Sequence, residues 1–122
     1  MKKVLVTGGA GFIGSAVVPK LLKEKFNVTV VDNLSFGKKE FLDVDRVTFF
    51  ECDIRDKERL ETIFEKSQPD YVVHLAAVHF IPYCNERPFE AAQINILGTQ
   101  VVLDLCRHFE VERLFFASTA AV

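Results

Sequence analysis

Val4-Leu5-Val6-Thr7-Gly8-Gly9-Ala10-Gly11-Phe12-Ile13-Gly14 sets three glycines where an apolar strand must turn sharply into a helix. Gly8 permits the tight turn, Gly11 lets a pyrophosphate approach bare backbone, and Gly14 lets the new helix lie close on the strand. The unpaired amides at that helix N-terminus then face an anion. A glycine pattern alone is weak evidence, since a turn that merely packs a helix on a sheet reads the same way. Here a second apolar strand, Val28-Thr29-Val30-Val31, ends in Asp32, eighteen positions beyond Gly14. That is where an acid meets the adenosine ribose hydroxyls of a dinucleotide. The carboxylate accepts from the ribose diol and repels a 2′-phosphate, which favours NAD over NADP. Lys38 and Lys39 are the opposing signal, because a basic side chain folded back would neutralise such a phosphate.

Outward from this stretch, short apolar runs alternate with segments of helical period, the pattern of a parallel sheet covered on both faces. Strands are expected at 3–7, 27–32, 47–52, 71–75 and 114–118. Helices are expected at 12–25, 56–66 and 88–109, with a short one at 36–42. Asp56 supplies an N-cap for a helix whose inner stripe is Leu60, Ile63 and Phe64, and Pro69 stops it. Pro88 suits the first turn of the long helix. Pro19 falls inside the first helix and predicts a bend near Ser15 rather than an end, because Leu21 and Leu22 continue the apolar face. With right-handed crossovers this gives an α/β fold, a doubly wound parallel sheet (Rossmann-like) of strand order 3-2-1-4-5, truncated after the fifth strand. Its ligand crevice lies outside the carboxyl ends of strands one and four.

The chain has 122 residues, 49% of them apolar, enough for one domain with a real core, residues 1–122. A net charge of −2 with dispersed charges leaves no electrostatic footprint for nucleic acid or an anionic membrane. No apolar run approaches the roughly 18 residues of a membrane span. Lys2-Lys3 and the apolar residues after them mimic a secretory signal, but Thr7-Gly8-Gly9 breaks the run. A soluble, cytoplasmic protein is expected. Cys52, Cys84 and Cys106 are odd in number and widely spaced, so plain thiols are expected rather than disulfides or a zinc site. His74, His79 and His108 are equally scattered, and no shared metal is expected.

Six blocks in order, Thr7-Gly8-Gly9-Ala10-Gly11-Phe12-Ile13-Gly14, Val31-Asp32-Asn33-Leu34, Asp53-Ile54-Arg55-Asp56, His74-Leu75-Ala76-Ala77, Asn95-Ile96-Leu97-Gly98-Thr99 and Phe116-Ala117-Ser118-Thr119-Ala120-Ala121-Val122, resemble the extended short-chain dehydrogenase/reductase family. Within it the chain is most similar to the NAD-dependent nucleotide-sugar epimerases and dehydratases. The resemblance implies that Gly8, Gly11, Phe12, Ile13 and Gly14 hold pyrophosphate and that Asp32 and Asn33 meet the adenosine ribose. It implies Asp53 and Ile54 beside the adenine, and Leu75, Ala76, Ala77 and Ser118 along the path toward the nicotinamide. Thr119 matches the family's hydroxyl that bonds the substrate alcohol undergoing oxidation. A nucleotide sugar is the substrate so implied.

The family's general base is a Tyr four residues before a Lys, whose tyrosinate is favoured by that Lys and the nicotinamide cation. Tyr71 is followed four positions on by Leu75, and Tyr83 by Arg87, so neither supplies the pair. The expectation is the cofactor-binding portion of an epimerase-like enzyme, binding NAD without turnover by itself. A non-catalytic dinucleotide sensor is the second reading, and a scaffold that has lost its ligand the third.

Plainer roles stand beside these. Asp53 serves equally well as a cap ending the third strand. Asn95 and Gly98 are expected to be structural, Asn95 satisfying a loop carbonyl and Gly98 allowing close helix–sheet approach. His79 is expected in solvent, Ser118 and Thr119 could be strand-end hydroxyls, and the twelve phenylalanines read most simply as core. The fifth strand is expected to be an unpaired edge prone to self-association. The long helix, apolar on more than one face, calls for a covering helix or a homodimer partner.

Overall fold

In the computed structural model, which describes residues 1–118, five strands form one parallel sheet: β1 (Lys3–Thr7), β2 (Asn27–Asp32), β3 (Thr48–Glu51), β4 (Tyr71–His74) and β5 (Arg113–Phe116). Their order is β3-β2-β1-β4-β5, as expected, and every neighbouring pair runs parallel. The bounds of β1 and β2 coincide with those expected. The other three strands are each a residue or two shorter.

Alternation along the strands separates two cores. Val4, Val6, Val28 and Val30 point to one face, where they pack with Val18, Leu21 and Leu22 of α1 (Gly14–Lys23). Leu5, Val31 and Val72 point to the other, against Leu60, Ile63 and Phe64 of α2 (Lys57–Ser67) and against a long helical stretch, residues 88–108. A crossover from β1 to β2 runs in the opposite direction along the sheet from those leading to β4 and β5. Right-handed connections therefore put α1 on one face and the other helices on the second.

Local chemistry sets the helix ends. Asp56 accepts from the Arg59 amide and caps α2. Two helices end in paired bonds that wrap a left-handed residue: Phe26 to Leu21 and Lys25 to Leu22 around Lys25 (φ +68°), and Val111 to Cys106 and Glu110 to Arg107 around Glu110 (φ +53°). α1 continues through Pro19 to Lys23, so the proline does not end it.

The long helix is three segments: α3 is a separate turn before it (Ile81–Glu86), then α4 (Pro88–Ala92), a π-helical stretch (Gln93–Gly98) and α5 (Thr99–His108). Neither α3 nor the π segment was expected. The short helix expected at 36–42 is one 3-10 turn, Lys39–Phe41.

The phenylalanines correct the expectation of a phenylalanine core. Only Phe64 is fully buried, while Phe12, Phe36, Phe41, Phe80, Phe89, Phe115 and Phe116 are exposed. They stand in loops, in the 3-10 turn, on the outer side of helix 88–108 and on β5. Phe49 and Phe50 do divide between the two cores, as a strand pair should.

Candidate functional site

The β1–α1 turn lies at the carboxyl ends of the central strands. Gly8 has φ +70°, and its amide donates to the Val31 carbonyl at 2.7 Å. A Cβ there would stand 2.7 Å from the Ala76 nitrogen, so both conformation and packing require glycine. At Gly14 a Cβ would come within 2.6 Å of the Gly9 Cα, so glycine is required there by the turn folding back on itself rather than, as expected, by the helix lying on the strand. Gly11 is different. It carries no left-handed φ, and a Cβ would meet only the Gly8 carbonyl oxygen, at 3.3 Å. The protein itself leaves that space open, as a cradle for a bound group does.

The expected helix start at Phe12 is corrected to Gly14, because Phe12 and Ile13 belong to the turn. Ile13 occupies the N-cap position without a side-chain cap, and the first turn of α1 carries no acidic residue. The Ser15, Ala16 and Val17 amides donate to the Gly11 and Ile13 carbonyls, so the Phe12, Ile13 and Gly14 amides and the positive end of the helix dipole are what the turn leaves for an anion. Phe12 is 90% exposed beside them.

Asp32 ends β2 with its side chain inside, 8% exposed. Oδ2 accepts from the Ala10 amide at 3.0 Å and Oδ1 from the Leu34 amide at 2.8 Å. The first bond ties β2 to the glycine turn; the second holds Leu34 at φ +61°, a costly conformation for a leucine. A carboxylate has about four acceptor positions, so roughly two remain for a diol. Asn33 is exposed, and its Oδ1 accepts from the Ser35 amide at 3.1 Å. Lys38 and Lys39 do not fold onto Asp32. Their ammonium groups stand 5.9 Å and 5.6 Å over the rings of Phe41 and Phe49.

Asp53 takes the capping role. Its Oδ1 accepts from the Arg55 amide at 2.9 Å, and the Arg55 guanidinium closes on both oxygens, with Nη2 at 2.6 Å from Oδ2. This holds the carboxyl below its ordinary range. Arg55 reaches on to Gln93 Oε1 at 3.1 Å, linking the β3 loop to the π segment. The Ile54 side chain is buried beneath Gly98, where a Cβ would meet it at 2.5 Å. Gly98 thus allows a close approach, but to Ile54 in the loop after β3 rather than to the sheet as expected. Asn95 also has its expected role, donating from Nδ2 to the Val78 carbonyl at 2.8 Å.

Leu75 and Ala76 are half-buried and Ala77 exposed, and Ala76 lies directly against Gly8. Ala117 donates to the His74 carbonyl, extending the β4–β5 pairing, so Ser118 falls two residues past the pair His74–Phe116. Thr119 lies outside the described residues. His79 is exposed; Cys52 and Cys106 are buried, which pushes both thiols up to about 11. Among the described residues no group of His, Cys, Asp and Glu could hold a metal, and no helix is long and apolar enough to cross a membrane.

Sequence reasoning missed Thr7, His74 and Thr99, which form a hydrogen-bonded run behind residues 75–78, buried at Thr7 and His74 and half-buried at Thr99. It also missed the contact across the crevice between Phe36, after β2, and Tyr83 of α3, whose rings meet edge to face at 5.2 Å. The only available signal for the run was a histidine closing an apolar strand.

A doubly wound α/β fold with a glycine turn, a helix start lacking a side-chain cap and an acid at the end of the second strand has the arrangement by which proteins of this class hold dinucleotides. The chain belongs to the NAD dependent epimerase/dehydratase family, whose model matches residues 4–122. It is 41% identical over 118 residues to a UDP-glucose 4-epimerase of Halalkalibacterium halodurans, covering 97% of this chain and 35% of that protein. Among solved structures it is similar to the UDP-glucose 4-epimerase of Thermotoga maritima with UDP-glucose (TM-score 0.93, 44% identity, 96% of this chain and 38% of that one). It is also similar to that of Thermus thermophilus in complex with NAD (TM-score 0.92, 45% identity, 96% and 37%). The chain therefore spans 35 to 38% of the length of these relatives.

Proposed function

We propose that this chain is the NAD-binding part of a nucleotide-sugar epimerase or dehydratase. The observation that carries the reading is Gly11, where an added Cβ would meet open space apart from the Gly8 carbonyl oxygen at 3.3 Å, beside a helix start with no side-chain cap. The open space fits a pyrophosphate. Gly8, Gly11, Phe12, Ile13 and Gly14 would hold that group, Asp32 and Asn33 the adenosine ribose, and Asp53 and Ile54 the adenine edge. Leu75, Ala76, Ala77 and Ser118 would line the way to the nicotinamide. When bound, NAD would supply a transient hydride acceptor for a sugar carbon.

Thr119 is proposed to bond the substrate hydroxyl. The Tyr-x-x-x-Lys pair is not found within the 122 residues, so the chain by itself is proposed to bind cofactor without turnover. The relatives' substrates favour a nucleotide sugar as the partner. Phe89, Ile96 and Leu103, exposed at seven-residue spacing on helix 88–108, favour a homodimer, and three unpaired thiols suit a cytoplasmic setting.

Calorimetric titration with NAD and NADP tests the reading. Saturable NAD binding is expected, with NADP weaker because its 2′-phosphate meets Asp32. Asp32→Ala should weaken NAD and narrow the difference between the two. A folded chain that binds neither cofactor would overturn the proposal.

A further inference from the structure

His74 closes β4 and is 3% exposed. Its Nδ1 lies 2.6 Å from Thr7 Oγ1 of β1, and its Nε2 lies 2.9 Å from Thr99 Oγ1 at the start of α5. The direction of each bond follows from counting hydrogens. Thr99 Oγ1 is 2.7 Å from the Asn95 carbonyl oxygen, which can only accept. The hydroxyl hydrogen goes there, so Nε2 must carry the proton that Thr99 accepts. At the other end, Thr7 Oγ1 accepts from the Ala76 amide at 3.1 Å and shares the Leu75 amide, also at 3.1 Å, with the Thr7 carbonyl. Its own hydrogen is left for Nδ1. The two ends, taken separately, require the same neutral Nε2–H tautomer.

The run continues past Thr99. Asn95 grips the backbone of Val78 in both senses, Oδ1 accepting from its amide and Nδ2 donating to its carbonyl, each at 2.8 Å. Residues 75–78 are thereby anchored at one end to β1 through Thr7 and at the other to helix 88–108 through Asn95. His74 joins the two anchors. The same segment lies against Gly8, where a Cβ would be 2.7 Å from the Ala76 nitrogen.

We propose that His74 is a positioning residue for the cradle: through Thr7 and Thr99, as the Nε2–H tautomer, it holds residues 75–78 at the glycine turn and so fixes the wall along which a dinucleotide lies. The part concerning the dinucleotide rests on the cofactor reading above. Protonation of Nδ1 would aim a second N–H at a hydroxyl whose acceptor positions the amides already occupy. The groups around the ring are Thr7 from β1, Thr99 from α5 and the Phe116 ring of β5 at 6.0 Å. Burial alone pushes the imidazole down to about 4, and no charged side chain among the described residues contributes. The lock therefore stays neutral at ordinary pH.

Three measurements on the chain test this: the long-range proton–nitrogen spectrum of the ring, amide hydrogen exchange, and NAD titration. The wild-type spectrum is expected to show Nε2–H, unchanged from pH 8 to pH 5. In Thr99→Val the Ala76 and Val78 amides should exchange about tenfold faster and NAD should bind about tenfold more weakly, the scale of one or two lost hydrogen bonds. Thr99→Ser should restore both. An Nδ1–H tautomer, titration of the ring near its ordinary value, or unchanged exchange in Thr99→Val would overturn the inference. If the wild-type chain binds no NAD, the cofactor reading falls, while the spectrum and the exchange rates still decide whether His74 holds the segment.

Discussion

Gly11 and Gly14 sit in one turn and answer to different constraints, which substitution separates. Alanine at Gly14 drives its methyl into the Gly9 backbone, which has no flexible end to yield. Gly14→Ala should therefore cost about 2 kcal/mol of unfolding free energy, the scale of an overpacked site. Alanine at Gly11 meets one carbonyl oxygen at 3.3 Å and otherwise open space. Gly11→Ala should cost about 1 kcal/mol or less, because only that one carbonyl has to give, while NAD binding falls. Urea unfolding and calorimetry on both variants check this, and equal losses of stability would remove the case that Gly11 serves a ligand. At this scale the glycines and Asp32 were legible because the motif is contiguous and its spacing is fixed by the strand–turn–helix geometry. What Asp32 does for Ala10 and Leu34 was not, nor was the run through His74. Its partners lie 67 and 25 positions away, and no local period records a bond between distant side chains.

Helix 88–108 shows how far periodicity reaches. Its buried residues, Ala91, Ile94, Gly98, Val101, Val102, Leu105 and Cys106, keep one apolar face throughout, so the helix itself was legible. The same regularity hid the π segment, because the apolar stripe runs through 93–98 without a break. α3 was invisible for the opposite reason: none of its residues is buried, and without a stripe only Pro82 near its start marked it. The function of Gly98 gives a test whose sign is informative. In an ordinary helix interior, Gly→Ala gains up to about 1 kcal/mol from propensity. Here the methyl would press on Ile54 Cδ1 and Cγ1, and Ile54 is held in the core beside Leu60 and Val102, with little freedom to move aside. Overpacking at about 1–3 kcal/mol outweighs propensity. Gly98→Ala should therefore lower the thermal midpoint, and a rise would mean that helix 88–108 does not press on the β3 loop as described.

The sheet order was legible for the whole molecule because apolar runs and helical segments alternate, and right-handed crossovers leave few topologies for that alternation. Which side chains the completed fold would bury was less legible. A strand-ending histidine and an exposed phenylalanine look alike in sequence, and only the assembled layers put His74 inside and Phe89 outside. That burial gives the molecule a pH response. An unfolded histidine takes its proton near 6.5, whereas folded His74 resists until about 4. Between these values the unfolded chain binds more protons, so stability is fully present above about 6.5 and declines as pH falls through the window. A shift from 6.5 to about 4 amounts to about 3 kcal/mol once the window is crossed, a large share of the roughly 5–15 kcal/mol of a typical domain. Asp53 acts lower on the scale. Arg55 depresses its carboxyl below 3.8, so the stability it lends is lost only as pH falls beneath that value. Urea unfolding at pH 7.5, 6, 5 and 4.5 should show the His74 decline by itself, and His74→Gln, which cannot take up the proton, should flatten it. A wild-type profile that is level to pH 4.5 would mean that the ring accepts its proton in place, and the neutral bridge between Thr7 and Thr99 would then have to be abandoned.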